Sequence, residues 1–153
     1  MSTNSGPPKW SSSDSTFLGF PRLPRGHQGI LVDKCLSPRI ATGISRFGQL
    51  TGLPLSAAFS DDAKTEDEQF LGAAGEAGWA VFTQNDKMLR NPVQMSTIRS
   101  NATRLFTLTN SHLGADGGGL VFGRWLLTIR RRIDQPGPCF WRLYEDKKIH
   151  DIK

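Results

Sequence analysis

Residues 79–86 read WAVFTQND, and this stretch decides the fold. Its first five residues are apolar or β-branched, as in a strand that is buried on both faces of a parallel sheet. Polar residues follow at once, so the strand is expected to end at Thr83. A second stretch, ILVD at residues 30–33, has the same character and ends on an aspartate. We therefore predict two central strands, each followed by a polar segment with an acidic residue.

Helical and extended patterns alternate along the rest of the chain. Pro38 and Pro92 suit the first turn of a helix, and Gly78 suits a helix end after a capping box formed by Thr65 and Glu68. The alternation predicts an α/β fold with three layers, α/β/α, a mostly parallel central sheet and a C-terminal strand pair. Further strands are predicted at 53–59, 105–108 and 139–144, and the last of these has a predicted hairpin partner at 148–150. Helices are predicted at 38–48, 65–76 and 92–98, and a fourth at 122–133 follows the glycines at 117–119.

The first 28 residues differ in composition from the remainder. They are rich in Ser, Thr, Pro and Gly and contain few apolar side chains that could offset the entropy of ordering. We predict a flexible polar tail over 1–28 and a folded domain over 29–153. The aromatic residues Trp10, Phe17 and Phe20 are the exceptions, since they could dock on the domain.

Composition excludes several classes of protein. The 153 residues include only two cysteines, which excludes a disulfide scaffold and a Cys-rich zinc module. No apolar run approaches the roughly 20 residues that a membrane span needs, and the N-terminus lacks the apolar core of a secretory signal. A cytoplasmic protein is therefore expected. The net charge of +5 is compatible with a nucleic-acid partner.

Three acidic residues occupy positions that the predicted topology brings to one edge of the sheet. Asp33 and Asp86 follow central strands, and Asp67 lies in the first turn of a helix. Neighbouring carboxylates repel one another, and Mg²⁺ or Mn²⁺ would relieve that repulsion. Each residue also has a simpler interpretation, because Asp67 would suit any helix start and Asp33 and Asp86 any turn.

Basic residues lie next to these acids. Lys34 follows Asp33 directly, and Lys87 and Arg90 follow Asp86. Such side chains could bind the phosphates of a nucleic acid. The arginines at 130–132 are interpreted as the solvated face of an amphipathic helix.

The order and spacing of four segments resemble one family. From residue 30 onward the chain resembles the PIN-like domains of VapC-type toxin ribonucleases, through segments 30–39, 66–71, 78–92 and 137–143. The resemblance implies an endoribonuclease that depends on Mg²⁺ or Mn²⁺ and hydrolyses RNA phosphodiester bonds. It also implies the toxin component of a type II toxin–antitoxin system, inhibited by a cognate antitoxin protein and able to form a homodimer.

The same resemblance implies roles for individual residues. Asp33, Asp67 and Asp86 would be the catalytic residues and metal ligands, and Asn85 would be a further ligand through its carbonyl oxygen. Lys34, Lys87 and Arg90 would bind the RNA substrate.

Two departures from the family pattern support an alternative. Related domains often have Asp-Glu-Asn at the first motif, where this chain has Asp33, Lys34 and Cys35, and some have an acid where this chain has Asn85. The alternative is a catalytically weakened PIN-like module that binds RNA or a protein partner without cleavage. A phosphohydrolase of small molecules that uses the same acidic edge is a third hypothesis.

Overall fold

A computed structural model describes residues 17–61, 64–110 and 112–145 of the chain. Its described strands pair in parallel in the order β2-β1-β3-β4-β5 and form one sheet. This arrangement confirms the predicted α/β class with a parallel central sheet. The strands are β1 (Gln28–Val32), β2 (Leu50–Pro54), β3 (Ala80–Thr83), β4 (Arg104–Leu108) and β5 (Cys139–Leu143).

Helices cover both faces of the sheet. The helices are α1 (Pro38–Ile44), α2 (Leu55–Ala58), α3 (Asp67–Ala77), α4 (Pro92–Ser100), α5 (Gly114–Arg124) and α6 (Leu126–Ile133), with a 3₁₀ helix at Asp86–Arg90. Side chains of α1, α5 and α6 share one apolar cluster with one face of the sheet, and those of α2, α3 and α4 share a second cluster with the other. The predicted three layers are therefore confirmed. None of these described helices has the length and apolar content needed to cross a bilayer.

The helix boundaries follow from short-range signals. Pro38 and Pro92 are the first residues of α1 and α4, and the preceding Ser37 and Asn91 accept hydrogen bonds from free backbone N–H groups through their side chains. Gly78 ends α3 in the left-handed conformation with a φ of 76°, which glycine adopts without strain. The helix starts at both prolines and the helix end at Gly78 are confirmed.

The predicted strand at 53–59 is wrong in its position. The structure has β2 at Leu50–Pro54, followed by the single turn α2. The alternating apolar pattern was misleading because Leu55 and Phe59 are four residues apart and also share one face of a helix. Ala57 is exposed while Ala58 is buried, which is the opposite of strand alternation.

Two predicted helices also differ in detail. The capping box that begins α3 uses Glu66 and Gln69, one residue later than the predicted pair. The predicted single helix at 122–133 is two helices, α5 and α6, separated at Trp125. The glycines at 117–119 lie inside α5 rather than before it, and a side chain at Gly118 would crowd Ile40 and Leu108.

The two ends of the chain are only partly described. Phe17 and Phe20 contact each other edge to face, Phe17 packs on Phe59 and Phe20 stacks on Trp79, so this part of the tail docks on the domain. Residues 1–16, including Trp10, lie outside the described residues. At the other end β5 pairs with β4, whereas its predicted hairpin partner at 148–150 lies outside the described residues. The boundary between tail and domain stays a prediction.

Candidate active site

The strand order creates a crevice between β1 and β3. Within the sheet, β2 pairs with one edge of β1 and β3 pairs with the other edge. Sheets of this kind bind ligands in the crevice at the carboxyl ends of the two strands where the order reverses. Asp33 directly follows β1, and Thr83 is the last residue of β3, so both stand at this crevice.

Asp33 is a buried carboxylate with one oxygen left unpaired. Its exposed fraction is 3%. The Thr83 hydroxyl donates to Oδ2 over 2.7 Å, and the Cys35 thiol lies 3.4 Å from the same oxygen. The other oxygen, Oδ1, is buried and accepts no hydrogen bond from the described residues. Since buried polar atoms normally have partners, this oxygen is available to a partner such as water or a cation.

The negative charge of Asp33 acts on the carboxyl group of Asp67. It is the first residue of α3 and is half-buried, and Gln94 of α4 donates to its Oδ2 over 3.0 Å. Burial raises the pKa of Asp67, and the negative charge of Asp33 raises it further, while Lys34 and the Gln94 hydrogen bond act in the opposite direction. The structure thus brings together two carboxylates that repel each other.

Lys34 adds a positive charge to this pair. Its ammonium Nζ donates a hydrogen bond of 2.8 Å to the main-chain carbonyl of Thr65. Thr65 is itself buried, and its hydroxyl donates to the carbonyl of Asp61 over 2.9 Å. Lys34 therefore connects the end of β1 to the segment that leads into α3.

The third predicted carboxylate lies on the 3₁₀ helix after β3. Asp86 is the first residue of this helix and is half-buried, and Asn85 precedes it with its backbone N–H donating to the Thr83 hydroxyl over 3.0 Å. Within the described ranges, no group of three or more His, Cys, Asp or Glu side chains is spaced to hold a metal ion. The structure gathers Asp33 and Asp67, and it does not complete a cluster of three with Asp86. The ligand roles of Asp86 and Asn85 stay predictions.

Lys87 and Arg90 are both exposed on the 3₁₀ helix. Between them, the Met88 side chain is fully buried and anchors the helix to the core. The basic residues are therefore held near the end of β3 with their charges in solvent. Their predicted role in binding the substrate stays a prediction.

Three features of the site, two hydrogen bonds and one raised pKa, were not predicted from the sequence. Thr83 holds Asp33, Gln94 holds Asp67, and the thiol of Cys35 has its pKa raised to about 11, first by burial and then by the charge of Asp33. Cys35 also lines a cavity of about 260 Å³ together with Gln84 and His112. A raised pKa disfavours the thiolate, which is the reactive form of cysteine.

Comparison with known proteins places this geometry in a family. A family model described as a PIN like domain matches residues 29–110, which is more than half of the chain. The matched region contains Asp33, Asp67 and Asp86. Neither the curated proteins nor the solved structures that were compared contain a match.

Proposed function

Since the chain belongs to the PIN-like domain family, we propose that it is a Mg²⁺- or Mn²⁺-dependent endoribonuclease that hydrolyses RNA phosphodiester bonds. PIN-like domains are generally nucleases. The observation that carries the proposal is the buried Asp33 carboxylate, whose Oδ1 has no donor among the described residues and which lies beside Asp67. An unpaired anionic oxygen in a crevice is suited to a cation.

The residues present fit a single divalent ion. Mg²⁺ is commonly bound by one or two carboxylates, with water and substrate phosphates completing the shell. Asp33 and Asp67 would hold the ion, and the carbonyl oxygen of Asn85 would add a ligand from the end of β3, since Asp86 forms no three-acid group with them in the described part of the chain. When bound, the ion supplies positive charge that activates water and stabilises the phosphodiester during cleavage.

The chain's own residues orient the reacting groups. Thr83 fixes the carboxylate of Asp33, and Gln94 fixes that of Asp67. Lys87 and Arg90, exposed on the 3₁₀ helix, would bind backbone phosphates of the RNA. Hydrolysis adds one water across the phosphodiester bond, and the proposed products carry a 3′-hydroxyl and a 5′-phosphate.

The proposed biological role is that of the toxin in a type II toxin–antitoxin pair. The support for this role is the order of the four motif segments, which resembles that of VapC-type toxins. The proposed partners are a cognate antitoxin protein and a second copy of the chain. Purification of the chain with the product of a short neighbouring reading frame tests the role, and inhibition of RNA cleavage by that product is the expected result.

Replacing Asp33 by Asn tests the enzymatic proposal. The purified chain should cleave a labelled RNA in Mg²⁺ and leave 5′-phosphate ends. Asp33→Asn should reduce the cleavage rate by about a hundredfold or more, because mutating residues that only support a metal ligand already lowers metal affinity or activity by about 10- to 100-fold. Asp134→Asn is the matched control, since Asp134 is exposed at the end of α6 and accepts a hydrogen bond from Gln28. Cleavage by Asp33→Asn at the wild-type rate would refute the proposal.

A second candidate function is RNA binding without cleavage. It is favoured by the presence of Lys34 beside the carboxylates and by the lack of a three-acid cluster within the described part of the chain. In that case the wild-type chain would retard RNA in a mobility-shift assay and leave it intact in millimolar Mn²⁺. Cleavage that disappears in Asp33→Asn would exclude this function.

A further inference from the structure

Arg142 is a half-buried arginine whose guanidinium has no partner in the described part of the chain. Its Nε is buried and forms no hydrogen bond, and no carboxylate of the described ranges pairs with it. The other described arginines that are not exposed each have a contact, since Arg104 and Arg130 donate to main-chain carbonyls and Arg132 lies over an aromatic ring. The charge of Arg142 is therefore available to a partner from outside the described chain.

A row of polar residues connects Arg142 to the crevice. Thr83 is in register with Thr107 of β4, and Thr107 is in register with Arg142 of β5. Residues in register on parallel strands share a face of the sheet, and Phe140, two residues before Arg142, packs on the same apolar cluster as α3 and α4. Asp33 joins the other end of the row through the hydrogen bond from Thr83. Arg142 thus stands at the same edge of the sheet as Asp33, about 10 Å from Thr83 at the usual spacing of strands.

The chemistry of this guanidinium fits a phosphate group. We propose that Arg142 binds a backbone phosphate of the RNA substrate, beside the phosphate that is cleaved at the crevice. Only Nε is both buried and unpaired, so the two Nη nitrogens reach solvent, where their planar fork matches two phosphate oxygens. A strand of RNA that enters the crevice carries further phosphates along the edge of the sheet. This inference rests on the proposed RNA substrate but does not require the metal ion.

The neighbouring charges favour RNA over an acidic protein segment. Lys87 and Arg90 are exposed on the 3₁₀ helix that follows β3, so they lie toward the same edge of the sheet as Arg142. Two acids are also found there, but Asp86 is accompanied by these two basic residues on its own helix, and Glu145 accepts a hydrogen bond of 2.6 Å from an asparagine side chain. Positive charges spaced along an edge suit the backbone of a single strand.

Fluorescence anisotropy with a labelled single-stranded RNA in EDTA tests the inference without cleavage. Arg142→Met should weaken RNA binding about tenfold, as expected for loss of hydrogen bonds to a charged group. It should also lower the slope of log affinity against log salt by about 0.7, the value for one phosphate contact on a single strand. Arg142→Lys keeps the charge, so it should keep the slope while losing part of the affinity with the planar fork. Arg131→Met removes an exposed charge from α6 and is the control, with both values near those of the wild type.

Two further measurements accompany the binding assay. Arg142→Met should not lower the melting temperature, because the guanidinium has no partner to lose within the described ranges, and this result separates weaker binding from unfolding. In Mg²⁺, the same variant should raise KM for RNA cleavage about tenfold and change kcat less, since the contact is made before the reaction as well as during it.

The outcomes separate this inference from the proposed function. If the wild type cleaves RNA and Arg142→Met keeps its RNA affinity and KM, or loses no more than Arg131→Met, the role of Arg142 is refuted, the nuclease proposal stands, and an acidic protein becomes the partner to test. If Arg142→Met binds RNA more weakly with the smaller salt slope but the wild type leaves RNA intact, the role of Arg142 holds and the nuclease proposal fails. A wild-type chain that neither binds nor cleaves RNA would overturn both.

Discussion

The two ends of the sheet bury polar side chains in different ways. At the amino end, the hydroxyl of Thr103 donates to the carbonyl of Leu71, and the guanidinium of Arg104 donates to the carbonyls of Ile133 and Gly78. At the carboxyl end, Asp33 is equally buried, but its Oδ1 accepts no hydrogen bond within the described ranges. These groups of Thr103 and Arg104 are paired within the chain, whereas Oδ1 of Asp33 is left open to the metal ion that we propose.

Arg104 is a buried charge that serves the structure, whereas Asp33 and Asp67 are charges that we assign to function. Burial lowers the pKa of Arg104, yet its donors meet main-chain carbonyls from the ends of two other elements. The negative charge of Asp33 acts unfavourably on Asp67, whose pKa is raised by burial and then by this charge. Clusters of perturbed ionisable groups in a crevice are typical of functional sites. Substitutions at the two ends should therefore change the stability of the fold by different amounts and even in opposite directions.

The largest expected effect is at the amino end. Arg104→Met should lower the free energy of unfolding by about 3 kcal/mol, because the buried carbonyl of Ile133 would be left without a donor and the hydrogen bond to the carbonyl of Gly78 would be lost. Urea denaturation measures the loss, and the rate of RNA cleavage well below the melting temperature should be unchanged. Arg131→Met, an exposed position on α6, is the control. A loss below about 1 kcal/mol would show that the guanidinium does not hold these elements together.

Substitution of Thr83 should lower stability by less than substitution of Arg104, and it should also weaken Mn²⁺ binding. Thr83→Val keeps the shape of the side chain but removes the 2.7 Å hydrogen bond to Asp33. We expect a loss of about 2 kcal/mol, as for hydrogen bonds to charged groups, and a roughly tenfold weaker affinity for Mn²⁺, because the Asp33 carboxylate is no longer oriented. Thr83→Ser retains the hydroxyl and should restore Mn²⁺ affinity. Unchanged Mn²⁺ binding in Thr83→Val would contradict a positioning role.

Local sequence patterns predicted the parts of the fold that depend on neighbouring residues. The apolar runs before Asp33 and within 79–83 identified β1 and β3, because strands buried on both faces tolerate few polar side chains. The prolines and Gly78 located helix boundaries through backbone geometry. The error at 53–59 arose where the same spacing satisfies a short strand and a single helical turn.

The site itself depended on contacts between distant residues. The pairing of β1 with β3 brings Thr83 to Asp33 across 50 residues, and no local pattern specifies that pairing. The sequence placed Asp67 at a helix start, but its proximity to Asp33 depends on how α3 returns to the sheet. Asp86 was expected in a simple turn, whereas the buried side chain of Met88 organises the 3₁₀ helix that carries it.

The smallest expected effect has the opposite sign and lies at Asp67. Asp67→Asn should raise the melting temperature of the metal-free chain by about 2–4 °C, because it removes a half-buried charge that faces Asp33 while an amide oxygen can still accept from Gln94. The same change should abolish the stabilisation that millimolar Mn²⁺ gives to the wild type.

The pH dependence of stability provides the sharpest form of this last prediction. The pKa of Asp67 is raised in the folded state, so the folded chain takes up the proton more readily than the unfolded chain. The stability that protonation confers is complete below the unfolded pKa of about 3.9 and is lost as the pH rises through the folded pKa. Metal-free wild type should thus gain stability on mild acidification relative to Asp67→Asn, which lacks this titration. Parallel curves for wild type and Asp67→Asn would mean that neither burial nor the charge of Asp33 raises the pKa of Asp67, and the contrast between the two ends of the sheet would then rest on Asp33 alone.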